Sequence, residues 1–117
     1  MYPLLFYFPQ YLNVLTVELV GGDRYSGNVF VDGQPVCDDD WDLTDAGVVC
    51  GSLFENGIAL EATVNSTFGE VGDDFSMDDV QCRGNETSLL QCEHKAKDVR
   101  CFRNYAAGVV CTGNTRL

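Results

Sequence analysis

Six cysteines carry the most definite chemistry in this chain: Cys37, Cys50, Cys82, Cys92, Cys101 and Cys111. The gaps between them are 12, 31, 9, 8 and 9 residues, so there is no C-x-x-C pair of the kind that zinc and redox sites use. An even number of well-separated cysteines suits three disulfides, for which 15 pairings exist. Disulfides place the chain in an oxidising compartment, as a secreted protein or an ectodomain. Acids supply the second chemistry. Asp38, Asp39, Asp40, Asp42 and Asp45 lie within eight positions that hold no basic residue. Asp38 and Asp39, directly after Cys37, can offer hard oxygens to a divalent cation. They can equally cap the following helix or pair with Arg100 or Arg103. Bases are the third. Five of the seven basic residues fall between Arg83 and Arg103. Lys95, Lys97, Arg100 and Arg103 can hold an anionic ligand by charge-assisted hydrogen bonds, or serve as solvated charge paired with the acids.

Catalytic constellations are missing. His94 is the single histidine, it sits in a charged segment, and no nucleophile motif accompanies it. Acids are plentiful, but nothing singles out one pair for acid–base work. With 18 acidic residues against 7 basic ones, the net charge of −11 argues against nucleic-acid binding. Asn65-Ser66-Thr67 and Asn85-Glu86-Thr87 are N-glycosylation sequons, in keeping with an extracellular setting.

The elements that must position these groups read as follows. Residues 1–15 are apolar and uncharged, too short to span a bilayer and interrupted by Pro3 and Pro9. They are read as a leader or linker remnant outside the fold, so membrane attachment would lie outside this chain. Residues 17–20 alternate and end at Gly21-Gly22, a strand and turn. Residues 28–31 form a second strand closed by Asp32-Gly33, and 35–37 a short third. A helix begins near Thr44, with Thr44 as cap, Asp45 in the first turn, and Ala46, Val49, Cys50 and Leu53 on one face. Trp41 should bury against the sheet. Residues 56–79 read mostly as loop, 77–82 as a strand, 86–91 as one helical turn, 95–103 as a basic loop and 108–111 as a core strand. The sum is one α+β domain over 16–112, followed by a tail at 113–117.

These segments resemble the scavenger receptor cysteine-rich domain in its six-cysteine, group A form. The carriers are Val17-Glu18-Leu19-Val20-Gly21-Gly22, Val36-Cys37-Asp38-Asp39-Asp40-Trp41-Asp42, Asp45-Ala46, Val48-Val49-Cys50 and Phe68-Gly69. Met77-Asp78-Asp79-Val80-Gln81-Cys82-Arg83-Gly84-Asn85-Glu86, Ser88-Leu89-Leu90-Gln91-Cys92 and Ala107-Gly108-Val109-Val110-Cys111 complete the set. The resemblance implies a curved antiparallel sheet cradling one helix. It also implies the pairing Cys37–Cys101, Cys50–Cys111 and Cys82–Cys92. Similar domains are recognition modules, and they bind proteins, polyanions, lipoproteins or microbial surfaces. The resemblance further implies a weak calcium site at Asp38 and Asp39, completed by an acid shortly before Ala107-Gly108. That position is Tyr105 here, beside Asn104. A second, weaker site implied at Asp78 and Asp79 would meet Arg100 where an asparagine is usual. The family's Trp-Gly before the third strand is absent, and Phe54 replaces the glycine that often ends the helix, leaving Gly57 for the turn. The expectation is an extracellular, non-enzymatic module that needs no cofactor beyond a weakly held calcium ion. Its partners would be proteins, polyanions or microbial surfaces, with no nucleic acid. The alternative is a passive structural or accessory domain of a larger secreted or membrane protein.

Overall fold

The computed structural model describes residues 16–96 and 101–117. Residues 1–15, together with Lys97 and Arg100, lie outside the described residues. The main sheet contains β1 (Val17–Gly21), β2 (Ser26–Val31), β3 (Gln34–Pro35), β4 (Ile58–Thr63) and β7 (Gly108–Thr112). Its path runs β1-β2-β7-β4, all antiparallel, with β3 paired to β2. The strand β2 is central, and only Phe30 within it is not fully buried. The β2–β3 connection is a two-residue turn at Asp32 (φ 52°) and Gly33 (φ 81°). Two successive left-handed residues twist the hairpin the way its strands twist.

Helix α1 (Leu43–Leu53) packs on β4 and β7. Its N-cap is Asp42, not Thr44: Asp42 and Asp45 form a reciprocal capping box. Asp42 wins because a capping side chain must reach the amide three residues on while Asp45 reaches back, and only this register satisfies both. Asp45 is therefore buried, not simply a first-turn charge. After Phe54 the left-handed turn residue is Asn56 (φ 57°), and the Gly57 amide donates to the Phe54 carbonyl.

The segment read as loop contains β4, an edge strand. A register shift between Ala59 and Glu61 leaves Leu60 as a bulge. Its large apolar residues Ile58 and Leu60 face out, while Ala59 and Ala62 pack inward. The second, two-stranded sheet pairs β5 (Asp78–Gln81) with β6 (Glu93–Lys95), so the basic stretch begins as a strand. Between them, Leu89–Gln91 makes one 3-10 turn capped by the Ser88 hydroxyl. Residues 113–117, expected as a tail, return to the helix end: the Glu55 amide donates to Thr115, and the Leu117 amide to Leu53.

Three disulfides close the structure: Cys37–Cys101, Cys50–Cys111 and Cys82–Cys92. The Cys50–Cys111 bridge fastens α1 to β7 inside the main core. Trp41 is buried, and its indole N–H donates to the Gly108 carbonyl at 2.9 Å. A smaller core of Cys37, Phe75, Cys101 and Ala106 sits apart from the first.

Candidate functional site

The small core supports an exposed aromatic turn. Cys37 is held from two sides, by its disulfide to Cys101 and by a β-bridge to Ala106. One residue on, the Asp38 amide donates to the Tyr105 carbonyl at 2.9 Å. The Tyr105 amide in turn donates to Phe102 at 2.8 Å, so residues 102–105 form a tight turn. Between the buried Cys101 and Ala106, every residue of this turn is exposed. Phe102 is 54% exposed and Tyr105 38%, and their ring centroids lie 6.2 Å apart. Two aromatic rings are thus displayed to solvent on a backbone fixed by a crosslink.

Beside them lie the candidate cation ligands. Asp38 is half-buried, and its Oδ2 accepts the Asn65 amide at 2.7 Å. Burial pushes the Asp38 carboxyl above its ordinary range; the Asn65 bond opposes this, and the neighbouring Asp39 charge adds to it. Asp39 is exposed. The Cys37 sulfur is close to both carboxylates but is oxidised in its disulfide, so it is no thiolate ligand. The position where the resemblance implies a third acid is taken by Tyr105. Calcium takes six or more oxygens and gains its affinity from their charge. Among the described residues no third carboxylate joins this cluster, and one exposed and one engaged carboxylate alone do not fit a resident calcium ion.

Asp78 and Asp79 do not form a second cage. Asp78 is buried at 2% exposure in β5. Asp79 pairs with Lys95, 3.2 Å away, and hydrogen-bonds the side chains of Asp40 and Gln81. The bond to Asp40 and the Lys95 ammonium lower the Asp79 carboxyl; the same contact, with charge repulsion, raises that of Asp40. Both residues have left-handed backbone, at φ 54° and 62°. Asp40 was not singled out in the sequence, because its partner is 39 positions distant.

The basic residues divide in the same way. Lys95 meets Asp79, and Arg103 meets Asp73 at 3.6 Å. Each described member of the anion-binding set is therefore beside an acid. Phe102 and Asp73 also went unremarked. The available signal for Phe102 was an aromatic residue placed inside a charged segment next to a cysteine.

Asn65 and Asn85 are both exposed. The Asn65 sequon also braces the aromatic turn: the Ser66 hydroxyl donates to the Arg103 carbonyl and accepts the Ala106 amide. Near Asn85, the Glu86 carboxylate accepts the amides of Arg83 and Gly84, which lower its pKa. His94 lies in a shallow groove with Asp79, Gln81, Glu93 and Lys95.

Comparison with known proteins gives one consistent answer. The profile of the scavenger receptor cysteine-rich domain matches residues 19–112. A galectin-3-binding protein of Pongo abelii is 44% identical over 102 residues, 82% of this chain and 17% of that protein. A scavenger receptor cysteine-rich domain superfamily protein of Patiria pectinifera is 41% identical over 82% of this chain and 9% of its own length. The chain thus spans less than a fifth of these relatives. The third such domain of murine neurotrypsin superposes with a TM-score of 0.67 at 32% identity, covering 84% of this chain and 96% of that one. The domain of mouse MARCO gives 0.61 at 32% identity, covering 89% and 99%.

Proposed function

The chain belongs to the scavenger receptor cysteine-rich family, and from that premise we propose that it is an extracellular recognition module that binds other proteins through the surface around the Cys37–Cys101 disulfide. The observation that carries this reading is the exposed Phe102–Tyr105 pair. Aromatic residues are enriched at the centres of protein interfaces, because they bury much area at little cost in ordering. A turn anchored by a disulfide has already paid most of that cost.

Three further features support the reading. The groove at His94 is lined by acids, an amide and a lysine, without a hydroxyl or thiol nucleophile, which favours binding over catalysis. The pairing of Lys95 with Asp79 and of Arg103 with Asp73 favours protein partners over polyanions. Three disulfides favour the extracellular side of the membrane. Among the described residues, no helix is long and apolar enough to cross a bilayer.

The test is surface plasmon resonance with the folded chain against a panel of extracellular proteins, with sulfated polymer and bacterial cells as separate arms. Galectin-3 belongs in the panel because a relative is named for binding it. Binding to a protein that is lost in Phe102→Ser or Tyr105→Ser supports the proposal. Uniform failure of correctly folded material favours the passive structural role.

A further inference from the structure

We propose that an N-glycan on Asn85 lies along the polar groove over β5 and β6, so that this small sheet is a seat for the chain's own sugar. Two hollows adjoin there. One, of about 310 Å³, is lined by Gln81, Arg83, Asn85, Glu86, Gln91 and Glu93. The other, of about 290 Å³, is the groove at His94, and it shares Gln81 and Glu93 with the first. Gln81 and Glu93 are cross-strand partners in β5 and β6, so their side chains stand on one face and form the saddle between the hollows. The sequon asparagine is itself part of the wall, and a sugar joined to it begins inside the groove. Asn65 lines neither hollow.

The carrier loop is held in shape before any sugar arrives. Residues 83–91 are closed off by the Cys82–Cys92 disulfide. The Glu86 carboxylate accepts the Arg83 and Gly84 amides, each at 2.9 Å, and Gly84 takes φ 109°, a conformation that favours glycine. The Thr87 amide donates to Gln91 Oε1 at 2.8 Å. Asn85 is exposed between these anchors. The chemistry of the groove suits a neutral polyol. Gln91 engages its oxygen with Thr87, which leaves its Nε2 to donate. Gln81 turns its Nε2 toward Asp40 and Asp79, which leaves its oxygen to accept. Sugar hydroxyls donate and accept, so they match this mixed set. The walls carry both signs, Arg83 and Lys95 against Asp79, Glu86 and Glu93, which suits an uncharged guest. No Phe, Tyr or Trp lines either hollow, so a free sugar would be held weakly. Attachment at Asn85 supplies an effective concentration in the millimolar range, at which weak contacts suffice.

The test uses the chain secreted, with its disulfides intact, from cells that attach uniform high-mannose glycans. An endoglycosidase that cuts the glycan core is applied to the native protein, and mass spectrometry follows release at Asn85 and Asn65 separately. The double variant Gln81→Ala/Glu93→Ala, at two exposed positions, should release the Asn85 glycan about threefold to tenfold faster than the parent, the effect of one net hydrogen bond. Release at Asn65 should keep its rate. Hydrogen exchange gives a second readout: the β6 amides should exchange more slowly in the glycosylated parent than in Asn85→Gln. Thermal melts check that the variants fold. Secreted chain without a glycan at Asn85 would overturn the proposal. So would a double variant that releases the Asn85 glycan at the parental rate or speeds both sites alike, and so would β6 exchange that Asn85→Gln leaves unchanged.

Discussion

The Asp45 carboxylate accepts the Cys82 backbone amide at 2.7 Å, joining the start of α1 to the end of β5 across 37 residues. Its other oxygen accepts the Asp42 amide. Burial, the dominant influence, raises this carboxyl to about 6, against an ordinary 3.8. The native state then holds the proton more tightly than the unfolded chain between those values. Its contribution favours the fold at low pH and is lost as pH rises through about 6. Urea titrations should show the parent gaining stability between pH 7 and pH 5 relative to Asp45→Asn. Equal pH slopes for the two proteins would refute this. Asp45→Ala should cost about 1–3 kcal/mol, because it leaves buried amides unpaired.

Trp41 and Gly108 make the second prediction. Trp41→Phe removes the donor to the Gly108 carbonyl, at a cost of about 1–3 kcal/mol. Gly108→Ala should be worse than a simple methyl insertion. A Cβ there would run into the Thr63 hydroxyl and stand 2.8 Å from the Gly27 carbonyl, which is backbone and cannot yield cheaply. Chemical denaturation of both variants checks the order.

The disulfides should rank by the loops they close. By chain entropy, Cys37–Cys101, at separation 64, contributes about 4 kcal/mol, and Cys82–Cys92, at separation 10, about 3. Paired Cys→Ser variants measured by thermal melts should follow that order. Loss of Cys37–Cys101 should in addition abolish binding by the aromatic turn at temperatures where the rest of the chain stays folded.

Glycans provide a fourth test. Mass spectrometry of secreted material should find both Asn65 and Asn85 occupied. A glycan at Asn65 would stand beside Asp38, whose side chain holds the Asn65 amide. Asn65→Gln should therefore strengthen partner binding, and Asn85→Gln should leave it unchanged.

How far these features could be read in advance depended on whether the determinant was local. The β1 alternation, the Asp32-Gly33 turn and the buried Trp41 are short-range patterns, and each stands where it was expected. The strand β4 was missed because Ile-Ala-Leu-Glu-Ala-Thr inverts the usual code: its large residues face water and its alanines face the core. The helix cap was displaced by two residues because Asp42 and Thr44 are both good caps, and only the reciprocal partner Asp45 decides between them. At the site, Asp38 and Asp39 stood out as a run. Tyr105 entered only through the family resemblance, and the Asn65 amide on Asp38 and the Arg103–Asp73 pair were not legible, because the fold alone brings those residues together.

The bulge at Leu60 has a bearing on how the molecule survives in crowded fluid. An open margin bearing two uncovered aliphatic side chains is a template on which another copy could stack, backbone to backbone. The one-residue offset breaks the even spacing of amides that such stacking requires and bends the margin locally. The protein thereby keeps greasy side chains at its rim while denying fibril growth a straight rail to extend.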